Sequence, residues 1–264
     1  MALEAAEVSD DLDLLKKAAD EAGEIAMRFF GDDPEQWEKD DEAGPVSEAD
    51  LAVNAHLTER FADSRPSYGL LSEETEDSVE RLTSDRVFIV DPIDGTRAFL
   101  KGEPGFAIAV AVVEAGVPIA SVVHMPALGD TYCAAAGAGA WLNDVPISPS
   151  SRVELAGSNA LGASASYQSQ HWPRGLPEMK RTFRHALQWR LCLVAAGSFD
   201  LMVTMRDAYE WDVAAGALIA TEAGAQITDR DGKTFHFNSP GAKVPGVLVA
   251  PPALHEQLVV LRTH

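Results

Sequence analysis

The densest chemistry in the sequence lies in Asp91-Pro92-Ile93-Asp94-Gly95-Thr96, which follows the run Arg86-Val87-Phe88-Ile89-Val90. That run is continuous in β-branched and aromatic residues and predicts a buried strand. Two carboxylates three residues apart, fixed by proline on one side and released by glycine on the other, can converge on one point just past the strand end. Hard divalent cations take such oxygen ligands, and magnesium combines carboxylates with a backbone carbonyl and water. Gly95 and Thr96 would then open a short helix and present free N–H groups to an anion. The plain structural alternative is an Asp-Gly turn next to a proline.

Other acids gain meaning only beside this hexapeptide. Glu73-Glu74 follow the apolar Tyr68-Gly69-Leu70-Leu71; adjacent loop acids are commonly solvated, but a metal site on Asp91 and Asp94 needs further ligands from another strand end. Trp211-Asp212 begin a stretch of small and apolar residues that predicts a helix, so Asp212 either caps that helix or packs against the Asp91 loop. Ser47-Glu48-Ala49-Asp50 has the form of a capping box with Asp in place of the usual Glu. The second possibility is that Asp50 points inward and orients a hydroxyl such as that of Thr96.

The chain has 264 residues, with 41 Asp and Glu against 21 Lys and Arg for a net charge of −20. Phosphate polymers and anionic membranes are repelled by such a balance, so nucleic-acid binding through basic patches is excluded, and any phosphate handled here needs positive charge from elsewhere. The first residues, MALEAAEVSDDLDLL, show neither a basic n-region nor an apolar h-region, and no stretch is apolar enough for a membrane span. A cytoplasmic protein is expected. Cys133 and Cys192 sit in separate apolar runs and read as reduced core thiols. The histidines have no paired ligand spacing, and no GxSxG, Walker A or GxGxxG motif occurs.

The positioning elements follow from periodicity. Apolar residues from Ser9 to Phe30 recur at helical spacing, with Ser9 as cap; residues 31–45 read as a loop; a second helix starts near Ser47 and runs toward Phe61. An antiparallel meander is predicted between Gly105 and Gly137. Thereafter come a helix over Gln188–Gly197, a strand over Phe199–Met205, the helix from Trp211, a turn and edge strand over Asp231–Pro240, a strand over Val244–Ala250 and a last helix. The fold class is layered α/β, with sheets between helices.

Taken together, Glu73-Glu74, the Asp91–Thr96 hexapeptide and Trp211-Asp212-Val213-Ala214-Ala215-Gly216 resemble the inositol monophosphatase superfamily in order and spacing. The resemblance runs nearly end to end, and Pro45-Val46-Ser47-Glu48-Ala49-Asp50 is similar to the family's V-T-x-x-D segment. It implies the sugar-phosphatase fold as one domain over residues 1–264, in two packed halves of approximately 1–150 and 151–264. It also implies two or three magnesium ions: Glu73, Asp91 and the carbonyl of Ile93 on one, Asp91, Asp94 and Asp212 on another. Thr96, bonded to Asp50, would position and help deprotonate water, Glu74 would assist, and the N–H groups of Gly95 and Thr96 would bind phosphate. Lys39 stands where relatives carry a loop lysine near the active site.

The activity so implied is hydrolysis of a small phosphate monoester by a lithium-sensitive homodimer. Met205 stands seven residues before Asp212, where inositol monophosphatases place a Glu for sugar hydroxyls. Leu191-Cys192-Leu193-Val194-Ala195-Ala196-Gly197 and Asp94-Gly95-Thr96-Arg97-Ala98-Phe99 resemble segments of bacterial phosphoadenosine phosphate phosphatases. The substrate expected first is therefore 3'-phosphoadenosine 5'-phosphate, ahead of inositol monophosphate and histidinol phosphate. From another class, a non-catalytic metal- or partner-binding pseudophosphatase would have no need for Thr96 and Asp50 together.

Overall fold

Alternation along two neighbouring strands decides how the layers stack. Val87 and Ile89 join one apolar cluster and Phe88 and Val90 another; Ala107, Ala109, Ala111 and Val113 face the first cluster, and Ile108, Val110 and Val112 the second. Both faces of this sheet must therefore be covered.

The computed structural model describes residues 2–32, 34–38 and 45–263. The chain begins with α1 (Ala2–Phe29), the ribbon of β1 (Gln36–Glu38) and β2 (Pro45–Ser47), α2 (Glu48–Ser64), β3 (Gly69–Ser72), β4 (Arg86–Asp94) and α3 (Thr96–Leu100). The meander β5 (Ala107–Glu114), β6 (Val117–Met125), β7 (Asp130–Ala135), β8 (Gly139–Leu142) and β9 (Val145–Pro146) follows. Strands β3 to β9 lie side by side in that order, with β3 parallel to β4 and later neighbours antiparallel. The remainder comprises β10 (Asn159–Leu161), β11 (Lys180–Thr182), α4 (Leu187–Ala195), β12 (Leu201–Thr204), β13 (Ala208–Tyr209), α5 (Ala214–Glu222), β14 (Gln226–Thr228), β15 (Lys243–Val244), β16 (Val247–Ala250) and α6 (Pro252–Thr263). A second sheet has the order β11-β10-β12-β16-β14, and β13 pairs with β15 in a separate ribbon.

Helices α1 and α2 cover one face of the first sheet, α4 and α5 lie between the two sheets, and α6 covers the second. The expected alternation of helix and sheet layers is the observed one. On β16, Val247 and Val249 turn toward the central core while Leu248 and Ala250 turn toward α6. Small residues let the middle layer come close. Gly216 of α5 packs so tightly on α4 that an added Cβ would stand 2.7 Å from Leu191 and 2.8 Å from the Gln188 side chain.

Four expectations change. Helix α1 passes straight through Ser9, and Val8 just before it packs against the same apolar cluster as the rest of the helix. Residues 36–38, inside the loop expected over 31–45, pair as an antiparallel ribbon with residues 45–47, just ahead of α2. Residues 231–240 hold a turn but no edge strand; Phe235 and Phe237 pack against the central core, and it is Lys243–Val244 that pairs. Helix α5 starts at Ala214, so Trp211 to Val213 form a turn ahead of it. Lys39 lies outside the described residues.

Replacing Gly216 by valine forces the α4–α5 contact apart, and the unfolding free energy should drop by about 2 kcal/mol or more. A denaturant melt measures this, and an unchanged midpoint would refute the close-packing account.

Candidate active site

Helix α2 opens at the site with two polar residues on one face, Asp50 and Asn54, both buried. Asp50 Oδ2 accepts the backbone N–H of Ser47 at 2.9 Å and its hydroxyl at 2.6 Å, while Oδ1 accepts the Thr96 hydroxyl at 3.2 Å. The capping and hydroxyl-orienting readings of Asp50 are thus both satisfied, one by each oxygen. The Thr96 hydroxyl also lies 3.1 Å from the Ile93 carbonyl, so one proton serves two acceptors. Burial raises the Asp50 carboxyl above its ordinary range, and its two bonds from Ser47 pull it back.

Asp91 and Asp94 both belong to β4, where residues three apart would ordinarily point to opposite faces. An irregularity in the pairing with β5 between these two positions breaks the alternation. The two carboxylates consequently converge with Asp212, and their oxygens lie within 4.8 Å of one another. Asp94 accepts the backbone N–H of Leu187 at 2.9 Å and that of Gln188, which ties the end of β4 to the first turn of α4. Asp212 does not cap α5: its Oδ2 accepts the N–H of Tyr209 at 3.0 Å. Asp91 Oδ1 is buried with no hydrogen-bond partner.

Electrostatics alone marks this cluster as incomplete. Burial, and then the charges of Glu73, Asp94 and Asp212, push the Asp91 carboxyl well above its usual value. Burial and Asp212 raise Asp94 to about 7, and burial and Glu73 raise Asp212 to about 6. Converging oxygen donors with an unpartnered, buried carboxylate oxygen fit a hard cation, which reverses the local field.

Gly95 adopts φ 92°, and a Cβ there would meet the Gly105 carbonyl at 3.1 Å and the Ala186 nitrogen at 3.2 Å. Glycine is needed at this bend to bring α3 in, whose first turn begins at Thr96. Glu73 borders the same small cavity as Asp91, Ile93, Asp94, Gly95 and Thr96. Glu74 lies on the same turn, where its carbonyl accepts from the Asn54 side-chain amide at 3.3 Å.

The sequence profile of the Inositol monophosphatase family matches residues 7–263. The chain belongs to that family. It is 30% identical to the 3'(2'),5'-bisphosphate nucleotidase CysQ of Salmonella typhimurium over 86% of this chain and 93% of that protein. It is 35% identical to the inositol-1-monophosphatase of Rhizobium meliloti, over 84% of this chain and 86% of that one. With the histidinol-phosphatase of Mycobacterium tuberculosis the figure is 33%, over 84% and 88%. Among solved structures the Thermotoga maritima IMPase superposes with a TM-score of 0.83 at 28% identity, covering 96% of each chain. The protein is a phosphatase of the inositol monophosphatase family, whose members are metal-dependent and act on small phosphate esters. Relatives at such similar identity carry different substrates in their names, so identity does not choose among those substrates.

A larger cavity of about 900 Å³ opens from the carboxylates of this family site, with Glu73 and Asp212 at its acidic end. Arg97, His185, Arg190, Arg206, Phe183 and Trp211 line it, and the Tyr209 and Trp211 rings on its wall are stacked at 4.4 Å. Met205 is in the wall and buried. Within the Leu191–Gly197 segment, Leu191, Cys192, Val194 and Ala195 belong to the central core, so its resemblance reflects packing rather than contact with a substrate.

Three positioning residues carry no motif. Asn54 accepts the Ser72 hydroxyl at 2.7 Å and donates to the turn after Glu73; its signal was the i, i+4 spacing from Asp50. Gln188 donates to the Trp211 carbonyl at 2.7 Å and accepts the Gly216 N–H at 2.6 Å. Glu210 accepts the N–H groups of Asn238 at 2.6 Å and Ser239 at 2.9 Å, fastening the turn before Asp212. Nothing local distinguishes Gln188 or Glu210 in the sequence.

The raised Asp94 carboxyl fixes a sign. Between its ordinary 3.8 and about 7, the metal-free folded chain holds a proton that the unfolded chain has lost. Stability in a chelator should therefore fall as pH rises through that window, and Asp94→Asn should flatten the fall. Melting temperatures measured across pH 5 to 8 test this; an identical slope in the variant would contradict it.

Proposed function

We propose that this protein is a magnesium-dependent phosphomonoesterase whose substrate is 3'-phosphoadenosine 5'-phosphate, released as AMP and phosphate. The observation that carries the reading is the convergence of Asp91, Asp94 and Asp212 beside the Asp50–Thr96 pair, opening into the cation-rich cavity. Glu73, Asp91 and the Ile93 carbonyl would hold one magnesium, and Asp91, Asp94 and Asp212 a second. Bound there, magnesium supplies positive charge for the phosphate and lowers the pKa of water.

The chain's own residues do the rest. Asp50 is held by Ser47 and accepts the Thr96 proton, which turns a Thr96 lone pair outward to accept from an attacking water. Glu74, on the neighbouring turn, assists in the same water network. The N–H groups of Gly95 and Thr96 receive phosphate oxygens at the start of α3. The ester's leaving portion extends into the large cavity, where Met205 offers no acceptor for a polyol hydroxyl and Tyr209 and Trp211 offer aromatic surface. The arginines on the wall support this choice over inositol phosphate. Lithium sensitivity and a homodimeric state are proposed with it, from the family resemblance.

Phosphate release from 3'-phosphoadenosine 5'-phosphate, inositol 1-phosphate, histidinol phosphate and fructose 1,6-bisphosphate, with magnesium and with added lithium, tests the reading. The nucleotide should give the highest kcat/KM; a preference for inositol phosphate would replace the substrate, and silence on the whole panel would refute the activity. Asp50→Asn should lower kcat by roughly 10²-fold or more while magnesium affinity by calorimetry changes little. Equal loss of metal binding would move Asp50 from the water to the metal.

A further inference from the structure

Glu73 and Asp212 stand together at the acidic end of the large cavity, on turns far apart in the sequence. Their charges repel, and the charge of Glu73 is felt at Asp212. Whatever fixes the separation of these two turns also fixes the spacing of the oxygens that a cation would meet there. The backbone N–H of Glu73 is tied to the Val90 carbonyl of β4 at 3.2 Å, but that bond does not reach toward Asp212. A second attachment, which does, comes from Arg81.

Arg81 lies in a short 3₁₀ turn, Val79–Thr83, and is only 2% exposed. Its Nε and Nη2 hold both carboxylate oxygens of Asp77, four residues past Glu73, at 2.6 and 2.8 Å. Nη1 donates to the Asn238 side-chain oxygen at 2.6 Å and Nη2 also to the Ser239 carbonyl at 3.0 Å, while the Asn238 side-chain amide donates back to the Arg81 carbonyl at 3.2 Å. An ion pair serving only its own turn would keep its guanidinium in water and reach no distant segment. Beyond this crossing, the N–H groups of Asn238 and Ser239 donate to the buried Glu210 carboxylate at 2.6 and 2.9 Å. Glu210 stands two residues before Asp212, and its carbonyl accepts from Val213 and Ala214 at 3.1 and 2.9 Å, so it holds the chain on both sides of Asp212. Asn238 has φ 58°, a conformation that asparagine tolerates, and in it the N–H meets Glu210 while the side chain meets Arg81.

We propose that Arg81 is a positioning residue: it straps the Glu73 turn to the Asp212 turn and so sets the spacing of the acids that hold magnesium. Arg81 acts from outside both cavities of the site, through Asn238, Ser239 and Glu210. The proposal rests on the reading that Glu73 and Asp212 are metal ligands, and it adds which distant residue keeps two repelling ligands at one separation.

Magnesium binding to the folded, substrate-free chain, measured by calorimetry, tests the strap. Arg81→Gln should weaken it roughly tenfold, with part of the loss restored in Arg81→Lys. Asn238→Gly keeps the left-handed backbone, deletes only the bridging amide and should weaken binding in the same direction; combined with Arg81→Gln it should add little, since both remove one connection. In hydrolysis of the ester that the wild type prefers, the magnesium concentration for half-maximal rate should rise by the same factor while kcat at saturating magnesium stays within about twofold. A merely structural Arg81 would lower the melting temperature and leave the magnesium affinity of the folded chain unchanged, and that result overturns the proposal. If Arg81→Gln does not fold, Asp77→Asn, at a half-exposed position, and Asn238→Gly decide in its place. Asp212→Asn separates the two readings. Magnesium binding equal to wild type in that variant, or none in the wild type, overturns the metal reading and the strap with it; binding weakened there but unchanged in Arg81→Gln, Asp77→Asn and Asn238→Gly overturns the strap alone.

Discussion

Like charges held together out of water dominate this molecule. At an effective dielectric of about 20, two carboxylates about 5 Å apart repel by about 3 kcal/mol, and Asp91, Asp94 and Asp212 lie within that range of one another. The folded chain tolerates the arrangement by raising their protonation and by aiming backbone donors at them, Leu187 and Gln188 at Asp94 and Tyr209 at Asp212. Asp91 Oδ1 receives no such donor. A bound cation removes the repulsion, so the same geometry that weakens the metal-free protein prepares it for metal and phosphate. A chain of net charge −20 handles an anion only through positive charge placed this locally.

The layers exist to hold that cluster still. Asp91 and Asp94 end a strand buried on both faces, and the interruption of pairing with β5 turns both toward one point. Asp212 arrives from the far side of the middle helical layer, through a turn fastened by Gln188 and Glu210. Because Gly216 lets α5 sit directly on α4, the Gln188 side chain spans the first turn of one helix and the start of the other. Loosening that contact would separate donors from acceptors by tenths of an ångström, which matters more for converging charges than for the apolar core around them.

The cavity beyond the carboxylates has a different logic. Its acidic end holds Glu73 and Asp212, whereas arginines and aromatic rings line the rest, which in the proposed function face the group that the phosphate is attached to. The Leu191–Gly197 segment, which resembles nucleotide phosphatases, is core, and the residue just before it, Arg190, is the one on the cavity wall. Short runs of apolar residues are kept alike by packing, so likeness there speaks to layer thickness and not to a ligand.

Much of the architecture was legible because burial imposes periodicity. The continuous run from Val87 to Val90, the meander and the small-residue helix α5 each announce a layer through hydrophobic pattern alone. Asp91 and Asp94 were legible as a candidate metal site because two acids framed by proline and glycine follow a buried strand, while Asp50 and Asp212 had capping readings of their own and gained their site roles, like that of Thr96, through the family resemblance. What the pattern could not decide was distance. Whether Asp212 capped a helix or joined the cluster, which oxygen of Asp50 served which partner, and that Asn54, Gln188 and Glu210 matter at all, depended on segments far apart in sequence meeting in space. Local propensity is a property of neighbours along the chain, while charge repulsion and hydrogen-bond donation are properties of neighbours in three dimensions. Only the packing of α4 and α5 between two sheets brings those neighbours together.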